Sequence, residues 1–165
     1  IGSVMNVTDP KVVNELQEIA CKESQTGIPL VFTRDVVHGF KTMLPIPLGQ
    51  AATFNPELVE QGARMAAVEA TEHGVRWSVA PMIDISRDSR WGRIAESFGE
   101  DTYLTNKMAV AVVKGLQNGD LSNPQSMAAC AKHFIGYWEA EGGRDYNSTF
   151  IPDSPLREVY LPPFE

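Results

Sequence analysis

Three short clusters of ionisable residues hold the chemical potential of this sequence: Asp35 with His38, the stretch from Asp84 to Arg93, and Lys132 with His133. The middle one is the densest. Between Pro81 and Asp101 stand Asp84, Arg87, Asp88, Arg90, Trp91, Arg93, Glu96 and Glu100, more charge than a plain connection requires. Asp, Lys, Arg and His together donate and accept charge-assisted hydrogen bonds, which discriminate hydroxyl positions on a hydroxyl-rich ligand. Trp91, Tyr137 and Trp138 would add flat apolar faces for ring C–H surfaces. Each residue also has a plainer reading. Asp35 could pair with Arg34 or cap a turn, His38 and His133 could be satisfied core histidines, and Trp91 could be packing. Lys132 is harder to dismiss, because a lysine directly after small apolar strand residues is costly to bury without a partner or a ligand.

Each cluster follows a short apolar run. Residues 1–6 read as a short buried strand, 28–33 as a second, 75–80 as a third and 126–131 as a fourth. Helices alternate with them. Asp9 caps the first, with Pro10 at its first position and Val12, Leu16, Ile19 and Ala20 on one face; Gly27 ends it. Asn55 and Pro56 open the second, with Leu58, Gly62, Met65, Ala66 and Ala70 facing inward. Asp101 caps the third, whose apolar positions are Leu104, Met108, Ala111, Val112 and Gly115. The prolines of residues 44–49 predict an extended surface linker. A second long polar loop covers 136–153, and a last helical segment begins at Ser154.

Such alternation implies parallel strands and right-handed crossovers, hence an α/β fold. Met5, Asn6, Val7 and Thr8 stand where a nucleotide-binding sheet would carry its Gly-rich turn, so a (β/α)8 barrel is preferred to a doubly wound sheet. A barrel places its active site at the carboxyl ends of its strands, where the three clusters fall. A whole barrel needs about 250 residues. With 165 residues, the chain is expected to be a single incomplete domain, 1–165, holding about the first half to two-thirds of a barrel.

Composition excludes little but excludes it clearly. The net charge of −7 and the interspersed Arg and Lys leave no basic patch for nucleic acid or an anionic membrane. No apolar run is long enough to span a bilayer. Cys21 and Cys130 read as small buried residues rather than a disulfide pair. Asp35, His38 and His133 have no recognised metal-ligand spacing, and no cofactor is expected.

The ordered motifs Asp35-Val36-Val37-His38-Gly39, Ala80-Pro81-Met82-Ile83-Asp84, Arg87 to Arg93 (RDSRWGR), Glu96 to Asp101 and Ala131-Lys132-His133-Phe134 resemble the N-terminal barrel domain of glycoside hydrolase family 3. The resemblance covers the whole chain. It implies a retaining, exo-acting enzyme that removes a terminal sugar from a β-linked oligosaccharide or glucoside, with Asp35, Arg93, Lys132 and His133 holding the hydroxyls of that sugar. The segment Glu139 to Tyr146 looks most like the bacterial β-glucosidase branch, and the family's work on external oligosaccharides implies a periplasmic or secreted protein. Lys132-His133-Phe134 continues as Ile135-Gly136-Tyr137-Trp138, without the histidine of the N-acetylhexosaminidase branch. Trp138 stands where a small residue is usual. Glucose is the expected sugar, with a xylosidase-type preference or galactose as the alternatives. The family's nucleophilic Asp and its acid/base are expected beyond Glu165, so this stretch alone is expected to be inactive. Two other classes compete: a non-catalytic sugar-binding protein, and a Schiff-base lyase acting through Lys132. The sequence carries no signal for an oligomeric state.

Overall fold

The computed structural model describes all 165 residues. Strand β1 (Ser3–Met5) lies parallel to β2 (Val31–Arg34), which lies parallel to β3 (Trp77–Ser78). The fourth run continues the order through parallel bridges between Trp77 and Ala128 and between Met82 and Lys132. Its backbone is tied to the third run by Ser78 N donating to Ala128 O at 2.8 Å and Ile83 N to Lys132 O at 2.8 Å. Strands that follow one another in space as in sequence, all parallel and without a reversal of order, form the wall of a (β/α)8 barrel rather than a doubly wound sheet.

The helices between them are α1 (Pro10–Lys22), α2 (Pro47–Ala51), α3 (Pro56–Glu72) and α4 (Thr102–Gln117), with a short α5 (Asp153–Pro155) continuing as one wide turn over Leu156–Tyr160. Their starts follow local chemistry. Asp9 accepts from Lys11 N and Val12 N, Asn55 from Leu58 N and Asp101 from Leu104 N, and Pro10 and Pro56 occupy first-turn positions that need no donor.

The main core holds Val59, Ala63, Ala66, Ala67 and Ala70 of α3 against Met108, Ala111, Val112 and Leu116 of α4. A smaller one gathers Met82, Ile85, Trp91, Trp138 and Tyr160. No helix is long and apolar enough to cross a membrane.

Several expectations need correction. β1 is not buried: Ser3 and Met5 are exposed, because β1 pairs with β2 alone. On α1 it is Val13 that is buried, closing on Gly74, while Val12 and Ile19 face outward. On α3 the buried face is the alanine stripe with Val59, and Leu58 and Met65 are exposed. Residues 44–49 are not wholly extended, since Pro47 at a first-turn position starts α2. Both cysteines are free as expected, but Cys21 is exposed and Cys130 half-buried.

Candidate functional site

Asp35 directly follows β2, and Lys132 closes the fourth run, so β3 lies between them. Lys132 Nζ donates to Asp35 Oδ2 at 2.7 Å. The lysine side chain is only 12% exposed and Asp35 32%, which answers how a lysine at this strand end is tolerated. Asp35 Oδ1 is buried with no hydrogen-bond partner, an unused acceptor of the kind that marks a site rather than a settled ion pair.

Asp84 comes from the stretch after β3, where residues 81–86 are all buried. Its Oδ2 accepts from the backbone N of His133 at 3.1 Å and lies 2.8 Å from His133 Nδ1. The other ring nitrogen, Nε2, lies 3.4 Å from Arg93 Nη1. Arg93 is in turn held by Glu96, with Nε 2.5 Å from Oε2. Asp84 is the interior end of this row, its side chain 1% exposed against 32% for His133.

The charged loop is built to hold Arg93 there. Trp91 is fully buried and donates from Nε1 to Asp145 Oδ1 at 3.0 Å, pinning the loop to the second polar loop. Beyond Arg93 the chain turns once over Ile94–Glu96, which brings Glu96 back onto the guanidinium. Ser97 Oγ then donates to Asp84 O at 3.0 Å, and Ser86 N to Gly99 O at 2.9 Å, so the loop closes on itself.

Electrostatics follow the burial. Removal from water pushes the Asp84 carboxyl up from its ordinary value, and the bonds from His133 pull it part of the way back. The hydrogen bond to Glu96 holds the Arg93 guanidinium charged well above the usual arginine range. The Tyr137 phenol is pushed up to about 12, first by burial and then by its bond to Asp145. Hydrogen bonds from Tyr137 and Trp91 hold Asp145 below the usual carboxylate range.

The structure therefore brings together Asp35, Arg93, Lys132 and His133 and leaves His38 out. His38 Nδ1 lies 3.0 Å from Leu44 O, holding the turn after β2. Asp88 and Arg90 form a local pair, which draws Asp88 down to about 2, and Arg87 is exposed. Of the three aromatic platforms only Tyr137 stands at the site: its ring is edge-on to His133 at 4.6 Å and lies under Arg93 at 5.4 Å. Trp91 and Trp138 are core, at 0% and 6% exposure, and offer no face to a ligand. Three residues escaped sequence reasoning as parts of this site. Glu96 had a signal, its place three residues after Arg93. Asp145 and Tyr146 had none, since a long polar loop gives no register. A shallow cavity of about 440 Å³ opens beside Arg93 and His133, walled by Tyr137 and Tyr146. Donors on Lys132 and Arg93 thus alternate with acceptors on Asp35 and His133 at one strand-end surface.

A "Periplasmic beta-glucosidase" of Salmonella typhimurium is 39% identical over the whole chain, which spans 22% of that protein. A "Putative beta-xylosidase" of Formosa agariphila is 36% identical, with 96% of this chain covering 22% of it. The crystal structure of a Listeria innocua beta-glucosidase in complex with glucose superposes with a TM-score of 0.94 at 42% identity, covering 98% of this chain and 23% of that one. The model of the glycosyl hydrolase family 3 N terminal domain matches residues 1–165, and the chain is a member of that family.

Proposed function

We propose that this chain supplies the hydroxyl-binding part of the sugar pocket of an exo-acting, retaining β-glucosidase, with Asp35, Arg93, Lys132 and His133 in contact with the terminal sugar. The observation that carries this reading is the convergence of the Lys132–Asp35 pair and the Asp84–His133–Arg93 row on one strand-end surface. Polar side chains that alternate as donors and acceptors suit vicinal hydroxyls, each of which both gives and takes a hydrogen bond. The β-glucosidase name of the Salmonella relative and the glucose bound by the Listeria protein support the choice of sugar. The "periplasmic" in the former name supports a periplasmic or secreted protein. The Formosa relative keeps a β-xyloside as the second substrate to assay. A Schiff-base role for Lys132 is disfavoured, because its nitrogen is engaged with Asp35 rather than presented as a free amine.

The test is kinetic and uses the full-length protein. Lys132→Met and Asp35→Asn should each lower kcat/KM on an aryl β-glucoside by roughly 10- to 150-fold, the worth of about 1.5–3 kcal/mol for a hydrogen bond to a charged group. Because the two side chains bond each other, the double variant should lose less than the product of the single losses. Unchanged kcat/KM in both single variants would remove these residues from the pocket. A lysine trapped by borohydride with a carbonyl compound would favour the lyase instead.

A further inference from the structure

Both nitrogens of the His133 ring face groups whose hydrogen-bonding sense is fixed. At Nδ1 stands Asp84 Oδ2, 2.8 Å away, which already accepts the His133 backbone N–H at 3.1 Å. That N–H donates to Oδ2, and with Asp84 as a carboxylate the same oxygen accepts from the ring as well, so Nδ1 carries the proton. At Nε2 stands Arg93 Nη1, 3.4 Å away, and a guanidinium only donates. Nε2 therefore presents a lone pair. The ring is pinned further by the edge of Tyr137 at 4.6 Å.

The Arg93–His133 separation of 3.4 Å is long for a hydrogen bond, and both side chains are partly open to solvent, at 24% and 32%. A hydroxyl oxygen placed against the two can donate its hydrogen to Nε2 and accept from Nη1, replacing one poor bond with two good ones. We propose that Asp84 is a positioning residue that holds His133 as the Nδ1–H tautomer, so that Arg93 and His133 together clamp one sugar hydroxyl by both its hydrogen and its oxygen. This rests on the glucosidase reading for the identity of the ligand, but the tautomer itself does not. The clamp demands a group that is donor and acceptor at once. A fluorine at that position keeps only the acceptor, and a methyl ether likewise loses the hydrogen.

The experiment measures inhibition of the full-length protein by glucose and by its monodeoxy and monofluoro analogues at each hydroxyl. One hydroxyl should stand out, with fluorine there weakening inhibition roughly tenfold, as expected for about 1.4 kcal/mol from one lost hydrogen bond. In Asp84→Ala that single discrimination should fall below about twofold, while those at the other hydroxyls persist. Asp84→Asn, whose carbonyl can take both bonds from His133 at the same place, should restore most of it. A purely structural role would weaken every hydroxyl's discrimination alike, and that result, or no change in Asp84→Ala, overturns the proposal. Histidine-selective ¹⁵N spectra of the unsubstituted protein need no variant: His133 should show a protonated Nδ1 and a bare Nε2. A protonated Nε2 at neutral pH overturns the tautomer assignment. Failure of glucose to inhibit at all would overturn the sugar clamp and the glucosidase reading together, and the spectra would still decide the role of Asp84.

Discussion

At Asp84 the needs of the site and the stability of the fold pull in opposite directions. Its carboxyl is buried, and burial outweighs the bonds from His133, so its pKa is higher in the folded protein than in the unfolded chain. The native state then holds the proton more tightly than the unfolded state. The contribution of Asp84 is complete below the unfolded-chain value of about 3.9 and is lost as pH rises through the folded value. Asp84→Asn, which never ionises, should therefore raise the thermal midpoint at neutral pH, and the gain should shrink as pH is lowered toward about 4. Melting curves across that range check it; a gain that grows toward acid would mean that the His133 bonds dominate. Asp145 has the opposite sign. Its pKa is depressed by the bonds from Tyr137 and Trp91, so its contribution is present above about 3.9 and is lost as pH falls through the folded value. Asp145→Asn should flatten the acid side of the same curves. The strand-end placement of Asp35, Lys132 and His133 was legible in the sequence because each follows a short apolar run, and a strand end has one place in a barrel. Trp91 and Trp138 were not, because a tryptophan serves equally as a platform or as core, and only the packing around it decides.

Among the elements, α3 and α4 make the closest contact, and its geometry explains which helix faces could be read in advance. A Cβ on Gly115 would lie 2.4 Å from Glu60 O, 2.7 Å from Ala63 Cβ and 2.9 Å from Arg64 N, all of them backbone or backbone-anchored. Nothing there can swing aside. Gly115→Ala should accordingly cost about 1–3 kcal/mol through overpacking, even though alanine is the better helix former by about 1 kcal/mol. Urea unfolding checks this, as a lower midpoint with an unchanged slope; a more stable variant would show that the helices can separate without loss. The spacing on α4 was legible because its apolar positions Met108, Ala111, Val112 and Gly115 are buried and Leu104 is half-buried against the same core. On α3 the larger side chains misled. Leu58 and Met65 are the more hydrophobic, but a contact this tight accepts only the alanine stripe. The fourth run was legible as a strand and is tied to the third by single parallel bridges, with Met127 in the main core.

On the scale of the whole molecule, the question is whether the carboxyl groups present could perform the hydrolysis. A retaining mechanism needs two of them about 5 Å apart, one free to attack the anomeric carbon and one to protonate the leaving oxygen. Asp35 is committed to Lys132, and Asp84 lies beneath His133 with its side chain 1% exposed. Glu96 is bound to Arg93, and Asp145 takes the Trp91 indole. Each of these four carboxylates already has a basic or polar partner, a setting that suits the orientation of hydroxyls. The same surface also leaves large aromatics open: Phe134 is 73% exposed and Tyr146 84%. An apolar area of that kind marks an interaction surface. The 165-residue chain expressed by itself, and shown to be folded by near-ultraviolet circular dichroism, should therefore release no nitrophenol from an aryl β-glucoside above the buffer rate. It should also bind an apolar dye through these open aromatic rings. Turnover by the isolated chain would hand the nucleophile's part to Asp35 or Asp84. Trapping the covalent glycosyl-enzyme with a 2-fluoro glucoside and sequencing the labelled peptide would then tell which.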